Sequence, residues 1–339
     1  MKQYLKRISV GAAALLGALA FGQAASAQEK TEISITRQPG ILYLPSHVIE
    51  KQKLIEKYAA QLGVENVTTK WITFSGGGAQ TDALLSGGVD IVNTGTGNLL
   101  LLWDRTRGGV KGIVASSALP LALITHDPKI KSLKDFGPAD KIAVPTVKVS
   151  TQAILLQMAC AQAFGADQWS KLDADTVQLG HPDAVAAMSN PQHEVKSHFA
   201  APPFQYIELK KVPDARILIQ SPEIIGGPLT QAQFFTTTKF VEANPKIIEA
   251  IRLASAEAQD FIRKDTKGAV GIYKEITGDK TSAEDILEML KQPGMMEWNL
   301  APQGTMKFAE HLLKVGTLKT KPAAWTDYYL PIAHDLKGS

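Results

Sequence analysis

Short strand-forming runs alternate with segments of helical periodicity along nearly the whole chain, and this alternation constrains the fold more than any other feature. Residues 32–36 alternate polar and apolar side chains as a half-buried strand does, and residues 46–61 carry apolar side chains at helical spacing. The same order of strand, loop and helix follows at residues 68–85 and 90–106. Units of this kind predict an α/β protein with mostly parallel sheets.

The pattern restarts in the middle of the chain, which predicts a second α/β unit. Further strands are expected at residues 110–116, 121–125, 141–145, 176–179 and 197–200. Helices are expected at residues 150–164, 183–188, 204–209, 245–263, 268–277, 282–290 and 303–315. A chain of 339 residues is long enough for two domains.

Composition and charge exclude several classes of protein. Of the 339 residues, 45% are hydrophobic and 20% are charged, which is typical of globular rather than disordered chains. The net charge of +3 equals the contribution of Lys2, Lys6 and Arg7, so the remaining 33 basic and 33 acidic residues balance. A neutral chain lacks the positive surface that binds nucleic acid or anionic membranes, and neither is expected as a partner.

The first 27 residues predict a cleaved signal peptide. A basic start is followed by an apolar run at residues 8–21 and by Ala25, Ser26 and Ala27, small residues of the kind a signal peptidase reads. A membrane anchor is the weaker alternative, because roughly 14 apolar residues are too few to cross a hydrocarbon core about 30 Å thick. No cysteine ends the leader to carry a lipid, so the sequence predicts a periplasmic chain that starts at Gln28.

The sequence offers no clear catalytic or metal-binding cluster. Cys160 is the only cysteine and lies in an apolar run, so it is expected to be a small buried hydrophobe rather than a nucleophile. His181, His193 and His198 raise the possibility of a metal site, but they fall on separate elements without a carboxylate partner. We therefore expect neither a metal nor another cofactor, and no enzymatic activity.

Several motifs, in a fixed order, carry a resemblance to a known family. They are residues 38–44 (Gln-Pro-Gly-Ile-Leu-Tyr-Leu), 74–78 (Phe-Ser-Gly-Gly-Gly), 88–91 (Gly-Val-Asp-Ile), 131–136 before the strand at 141–145, and Asn244-Pro245 before a long helix. With the signal peptide, this set over residues 30–300 resembles the substrate-binding proteins of ABC importers for nitrate, taurine and alkanesulfonates.

The resemblance implies a type II periplasmic binding protein with two α/β lobes and a ligand cleft between them. Lobe 1 would comprise residues 28–121, lobe 2 residues 122–228, and residues 229–339 would return to lobe 1 and add the C-terminal helices. It also implies a monomer that closes on a small polar or anionic organic ligand by hinge motion. The ligand would then pass to a permease and its ATPase complex in the inner membrane.

Two alternatives share this fold. One is binding of a pyrimidine precursor, and the other is an enzyme similar to those that make the thiamin pyrimidine. Such enzymes lack a leader and carry a cysteine-rich motif, whereas this chain has a leader and one cysteine. A sensory or scaffold domain is a third class, but no fused signalling module or membrane segment is apparent in the sequence.

Candidate ligand residues follow the carboxyl ends of the strands, where helix N-termini present unpaired N–H groups. In the first lobe they lie in two loops and are Ser75, Gly76, Gly77, Thr94, Thr96 and Asn98. Glycine lets the backbone approach a ligand, and the hydroxyls and the amide supply hydrogen bonds. An ordinary glycine-rich turn and a helix N-cap remain open as alternatives.

In the second lobe, Ser150 and Thr151 precede the long helix, at a place where Val149 replaces the glycine usual in the family. Lys148 is a candidate partner for an anion, although lysines in such loops are usually solvated. His198 either donates a hydrogen bond to the ligand or is a histidine whose hydrogen bonds are satisfied within the protein near the hinge.

Three further residues complete the predicted site. Gln38 and Tyr43 flank the first ligand loop, and Phe204 would face them across the closed cleft that the resemblance implies. We expect an aromatic or apolar surface here. The hydroxyls of Ser75, Thr96, Ser150 and Thr151 are expected to bind the polar head of the ligand.

Overall fold

Two five-stranded sheets organise residues 29–339, the part of the chain that the computed structural model describes. The predicted signal peptide lies outside the described residues. The strands are β1 Glu32–Arg37, β2 Thr68–Thr73, β3 Ile91–Thr94, β4 Val110–Ser117, β5 Ala122–Thr125, β6 Lys141–Val144, β7 Thr176–Gln178, β8 Val195–Ala200, β9 Arg216–Gln220 and β10 Ala232–Thr237.

Thirteen α-helices in residues 29–339 cover these sheets. They are α1 Leu44–Lys51, α2 Leu54–Gln61, α3 Gly77–Leu85, α4 Thr96–Arg105, α5 Thr151–Phe164, α6 His181–Ser189, α7 Phe204–Lys211, α8 Ser221–Ile225, α9 Thr238–Ala243, α10 Pro245–Lys264, α11 Thr266–Thr277, α12 Ala283–Leu290 and α13 Thr305–Lys314. The predicted α/β class is confirmed.

The strand order is β2-β1-β3-β10-β4 in the first sheet and β7-β6-β8-β5-β9 in the second. Parallel pairs join β1 to β2 and β3, and join β6 to β7 and β8. Antiparallel pairs join β10 to β3 and β4, and join β5 to β8 and β9. Half of the pairings are thus antiparallel, so the expectation of mostly parallel sheets is wrong. The chain enters the second sheet through β5 and returns to the first through β10, and each entering strand runs against its neighbours.

The predicted helix at residues 46–61 is two helices. Lys53, which lies between α1 and α2, has a φ of 50° in the left-handed region, and this conformation interrupts the α-helical hydrogen-bond ladder. The sequence pattern also fails to predict β9 and β10. Five of the six residues of β10 are buried, and a strand buried on both faces lacks the alternation by which strands are recognised.

Apolar side chains from both sheets and the surrounding helices form the main core. Cys160 on α5 lies fully buried within it, as expected, and burial raises the pKa of its thiol to about 12. Among the helices of residues 29–339, α10 is the longest. It starts with Pro245 in the first turn, where a missing N–H costs nothing, and packs its apolar face on α1 and α2. Within residues 29–339, no helix has the length and apolarity needed to cross a bilayer.

Candidate ligand-binding cavity

A cavity of about 20 Å³ lies where the edges of the two sheets face each other. Seven of the twelve predicted ligand residues line it, namely Gln38, Tyr43, Gly77, Thr94, Asn98, Ser150 and Thr151. The other lining residues are Pro39, Leu42, Gly95, Leu121, Pro145, Gln152, His181, Ala201 and Gln231. The lining therefore joins loops after β1, β2 and β3 of the first sheet to loops after β6, β7 and β8 of the second.

Four helices begin at this cavity. Gly77 starts α3, Gly95 caps α4, Thr151 starts α5 and His181 starts α6, and all four residues line the cavity. The first turn of a helix carries unpaired N–H groups and a partial positive charge. The lining contains no Lys, Arg, Asp or Glu within the described part of the chain. The arrangement thus favours hydrogen-bond acceptors held by neutral donors rather than by a fixed cation.

Gln38 organises the wall contributed by the first sheet. Its Nε2 lies 2.8 Å from Tyr43 Oη, 2.8 Å from Thr94 Oγ1 and 3.2 Å from Gln80 Oε1. Gln80 is itself held by Thr36 Oγ1, which accepts from its Nε2 at 2.8 Å. Burial raises the pKa of Tyr43, so its phenol stays protonated. This network fixes the side chains of Gln38 and Thr94 before any ligand arrives.

The four hydroxyls predicted to bind the ligand differ in whether another group of the protein already forms a hydrogen bond with them. Thr96 Oγ1 donates to Thr230 O at 2.6 Å, and Ser150 Oγ accepts from Ala153 N at 3.2 Å as the N-cap of α5. Ser75 is exposed and does not line the cavity. Thr151 Oγ1 is buried at the cavity and has no hydrogen-bond partner among residues 29–339. Of the four, only Thr151 therefore has a buried hydroxyl left unpaired at the cavity.

Gly76, also predicted as a ligand residue, lies outside the cavity at a contact between the two sides. A Cβ added to Gly76 would lie 2.8 Å from Pro145 O and 3.1 Å from Thr146 Oγ1, beyond the end of β6. The backbone N–H of Gly78 donates to the same Thr146 hydroxyl at 3.4 Å. The loop before α3 thus touches the loop after β6, and glycine permits this approach.

The histidine at the cavity is His181, not His198. His198 is fully buried behind the cavity, with Nε2 2.8 Å from His181 Nδ1 and Nδ1 2.6 Å from Glu208 Oε1. Phe204 lies outside the lining and stacks on His181, with ring centroids 5.3 Å apart. Burial lowers the pKa of His181 well below its usual value, and the neighbouring His198 lowers it further.

Sequence reasoning missed three polar residues of the lining. The sequence position of His181 could have indicated a ligand residue, because it follows β7 and starts a helix as other candidates do. Gln152 lies one residue beyond the predicted pair at the start of α5. Gln231, whose side-chain amide is buried without a partner in the described residues, had no signal because it precedes the unpredicted strand β10.

Two other positively charged or titratable candidates lie elsewhere. Lys148 lines a separate surface groove with Trp169 and Asp173. His193 Nδ1 accepts a hydrogen bond from Val195 N at 3.1 Å, away from His181 and His198. Neither side chain contributes to the cavity lining.

A larger groove of about 510 Å³ adjoins the cavity at Gln38 and Pro39. Its lining includes Phe204 and Ile207 of α7 and Tyr273 of α11. Its polar residues include Arg37, His47, Thr73, Lys211, Asp279 and Lys280. The groove therefore presents charged side chains beside the largely buried rings of Phe204 and Tyr273.

No family model matches the chain, and no curated protein matches it. Solved structures do. The alkanesulfonate-binding protein SsuA from Xanthomonas axonopodis pv. citri, bound to MOPS, is 16% identical over 88% of this chain and 98% of that one, with a TM-score of 0.70.

Two further solved structures are similar to this chain over most of its length. The periplasmic aliphatic sulphonate binding protein SsuA from Escherichia coli is 18% identical over 89% of this chain and 99% of that one, with a TM-score of 0.63. The periplasmic nitrate-binding protein NrtA from Synechocystis PCC 6803 is 15% identical over 88% and 84%, with a TM-score of 0.67. The chain therefore has the fold of periplasmic binding proteins, as predicted.

Proposed function

We propose that the chain is the solute-binding component of an ABC importer and captures a small polar or anionic organic ligand in this cavity. The observation that carries the proposal is the convergence of four helix N-termini on a lining that holds the unpartnered side chains of Thr151 and Gln231. Buried polar groups normally form hydrogen bonds, so we expect these two side chains to bind a ligand or a water molecule. The names of the three similar structures support the same role.

The proposal includes hinge motion between two lobes. A volume near 20 Å³ holds little more than a water molecule, so an organic ligand enters only when the two sides separate. The chain crosses between the sheets twice, from β4 to β5 and from β9 to β10. We place the lobe boundaries near Leu121 and Pro228, on these two crossings, and expect the lobes to rotate about them.

We expect different parts of the ligand to bind in the cavity and in the larger groove. An acceptor-rich head would bind between the two walls of the cavity once these have separated to admit it, because the helix N-termini and the Thr151 hydroxyl donate there. The organic part extends past Gln38 and Pro39 into the larger groove, where Phe204 and Ile207 of α7 offer apolar contact. Sulfonates, carboxylates and nitrate-like anions satisfy the first requirement.

We infer a binding protein rather than an enzyme, because the lining offers no carboxylate or thiol within the described residues for acid–base or nucleophilic chemistry. The proposal also includes the predicted leader, a periplasmic location and a monomer that delivers its ligand to a membrane permease and its ATPase.

A ligand screen tests the proposed function. Sulfonates, nitrate, carboxylates, pyrimidines and aromatic acids are added in a thermal-shift assay, and a true ligand at 100 times its dissociation constant is expected to stabilise the fold by about 2.7 kcal/mol. Small-angle scattering with the same ligand is expected to show a smaller radius of gyration than in its absence. Failure of every compound to stabilise the protein would contradict the proposal.

Thr151 and Ser150 form a matched pair for a second prediction. Thr151→Val removes the unpartnered hydroxyl, so we expect ligand binding to weaken by about 0.5–1.5 kcal/mol while the ligand-free protein keeps or gains stability. Ser150→Ala removes the N-cap of α5, so we expect a loss of about 1 kcal/mol in unfolding free energy with little change in affinity. Calorimetric titration and melting of both variants separate these outcomes, and identical behaviour of the two would refute the assignment.

A further inference from the structure

Four buried side chains form a hydrogen-bonded chain from the cavity into the second sheet. Gln152 Nε2 lies 3.3 Å from His181 Nε2, His181 Nδ1 lies 2.8 Å from His198 Nε2, and His198 Nδ1 lies 2.6 Å from Glu208 Oε1. The side chains of His198 and Glu208 have no exposed surface. Only Gln152 and His181 line the cavity, so only this end of the chain can meet a ligand.

Burial limits the charge that the inner end can carry. Within residues 29–339, Glu208 Oε2 has no hydrogen-bond partner, and no Lys or Arg forms an ion pair with this carboxyl group. An isolated buried carboxylate is costly, so the negative charge must be neutralised by protonation or by His198. The pair of Glu208 and His198 is therefore neutral overall, either as a carboxylic acid with an imidazole or as a carboxylate with an imidazolium.

Both neutral forms place a hydrogen on the same atom. A carboxyl hydrogen on Glu208 Oε2 would have no acceptor among residues 29–339, so a protonated Glu208 carries its hydrogen on Oε1 and donates it to His198 Nδ1. The neutral imidazole then carries its own hydrogen on Nε2, and an imidazolium carries hydrogens on both nitrogens. His198 Nε2 thus donates to His181 Nδ1 in either case. His181 is neutral, because burial lowers its pKa, and its hydrogen then lies on Nε2 at the cavity.

We propose that His198 and Glu208 are positioning residues that hold His181 as a neutral Nε2–H donor, and that this donor selects ligands with an acceptor atom in the head group. The selection of ligands rests on the proposed function, whereas the placement of the hydrogen does not. In the structure the Gln152 amide nitrogen, Nε2, faces His181 Nε2, and a turn of the amide by about 180° exchanges its oxygen and nitrogen, so that Oε1 accepts the His181 hydrogen when no ligand is bound.

The other polar groups of the cavity act in the same direction. The helix N-termini and the Thr151 hydroxyl can all donate to the head group. Sulfonate, carboxylate and carboxamide oxygens accept these hydrogen bonds. Ammonium and guanidinium groups are donors only. Their N–H groups would face the His181 Nε2–H group, and neither group would then have a hydrogen-bond acceptor.

Nitrogen-15 NMR of the full chain with labelled histidine imidazoles tests the placement of the hydrogen. At neutral pH, we expect the His181 ring to be neutral with its hydrogen on Nε2. His198→Leu removes the donor to His181 Nδ1 and is expected to weaken this preference, whereas His193→Leu, at a histidine outside the hydrogen-bonded chain, leaves the His181 signals unchanged. A hydrogen on Nδ1 of His181 in the unmodified protein, or a doubly protonated ring, would overturn the proposal.

Calorimetric titration with small probes tests the selectivity. Acetate, methanesulfonate and acetamide carry acceptor heads, whereas methylammonium and guanidinium carry donor heads, and we expect the best acceptor probe to bind at least about tenfold more tightly than either donor probe. Equal or tighter binding of a donor probe overturns the selectivity. Failure of all acceptor probes overturns the selectivity, whereas the proposed function is decided by the broader ligand screen and the hydrogen placement by the NMR result.

Discussion

Replacing Gly76 by alanine is expected to hold the two sides of the cavity apart and to weaken ligand binding by about 1–3 kcal/mol, the usual cost of overpacking a close contact. The added Cβ would lie 2.8 Å from Pro145 O, a backbone atom that cannot turn aside as a flexible side chain can. The contact joins a loop of the first sheet to a loop of the second, so the clash with the added Cβ is relieved when the two sheets move apart. Folding within each sheet is untouched, and the melting temperature of the ligand-free protein is expected to change little.

Gly271→Ala is the matched control. Gly271 lies on α11, and a Cβ added there would meet no atom within 4 Å. Alanine inside a helix is expected to stabilise the chain by roughly 0.5–1 kcal/mol without moving the two sheets. In the presence of ligand, small-angle scattering should show a larger radius of gyration for Gly76→Ala than for the unmodified protein, and no such increase for Gly271→Ala. Calorimetric titration should record weaker binding by Gly76→Ala only. Normal affinity and an unchanged radius for Gly76→Ala would exclude this contact as part of closure.

Glu208→Leu is expected to lower the free energy of unfolding by about 3–5 kcal/mol, because removing one member of a buried ionisable pair leaves the other without a partner. His198 is completely buried, and its Nδ1 would lose the carboxyl group that lies 2.6 Å away. Chemical denaturation measures the loss. Glu288→Leu serves as the control, since its ion pair with Lys291 is exposed and should leave stability nearly unchanged.

Adding His198→Leu to Glu208→Leu tests whether the pair acts as a unit. We expect the double variant to be more stable than the sum of the two single losses implies, because apolar side chains replace both partners. Recovery should be incomplete, since His181 Nδ1 still loses the hydrogen bond from His198. Strictly additive losses would show that the two side chains do not depend on each other.

Much of the fold follows from local pattern. Residues 150–164 predict α5 because Ser150 is a good N-cap before an apolar run, and the cap is present. Asn244-Pro245 similarly predicts the start of α10. The pattern fails where the decisive interaction is distant in sequence, because β10 is held between β3 and β4 by strands more than 100 residues earlier.

The sequence by itself determined part of the cavity lining, because glycines, hydroxyls and amides after strands place Gln38, Gly77, Thr94 and Thr151 at the sheet edges, whereas nothing in it marked Gln231. Only the tertiary structure decided which of these groups is free to bind. Thr96 donates to a carbonyl 134 residues away, whereas Thr151 has no partner among the described residues. The physical reason is that a hydrogen-bonding group is available only if no neighbour in space has already paired it, and the sequence does not specify those neighbours.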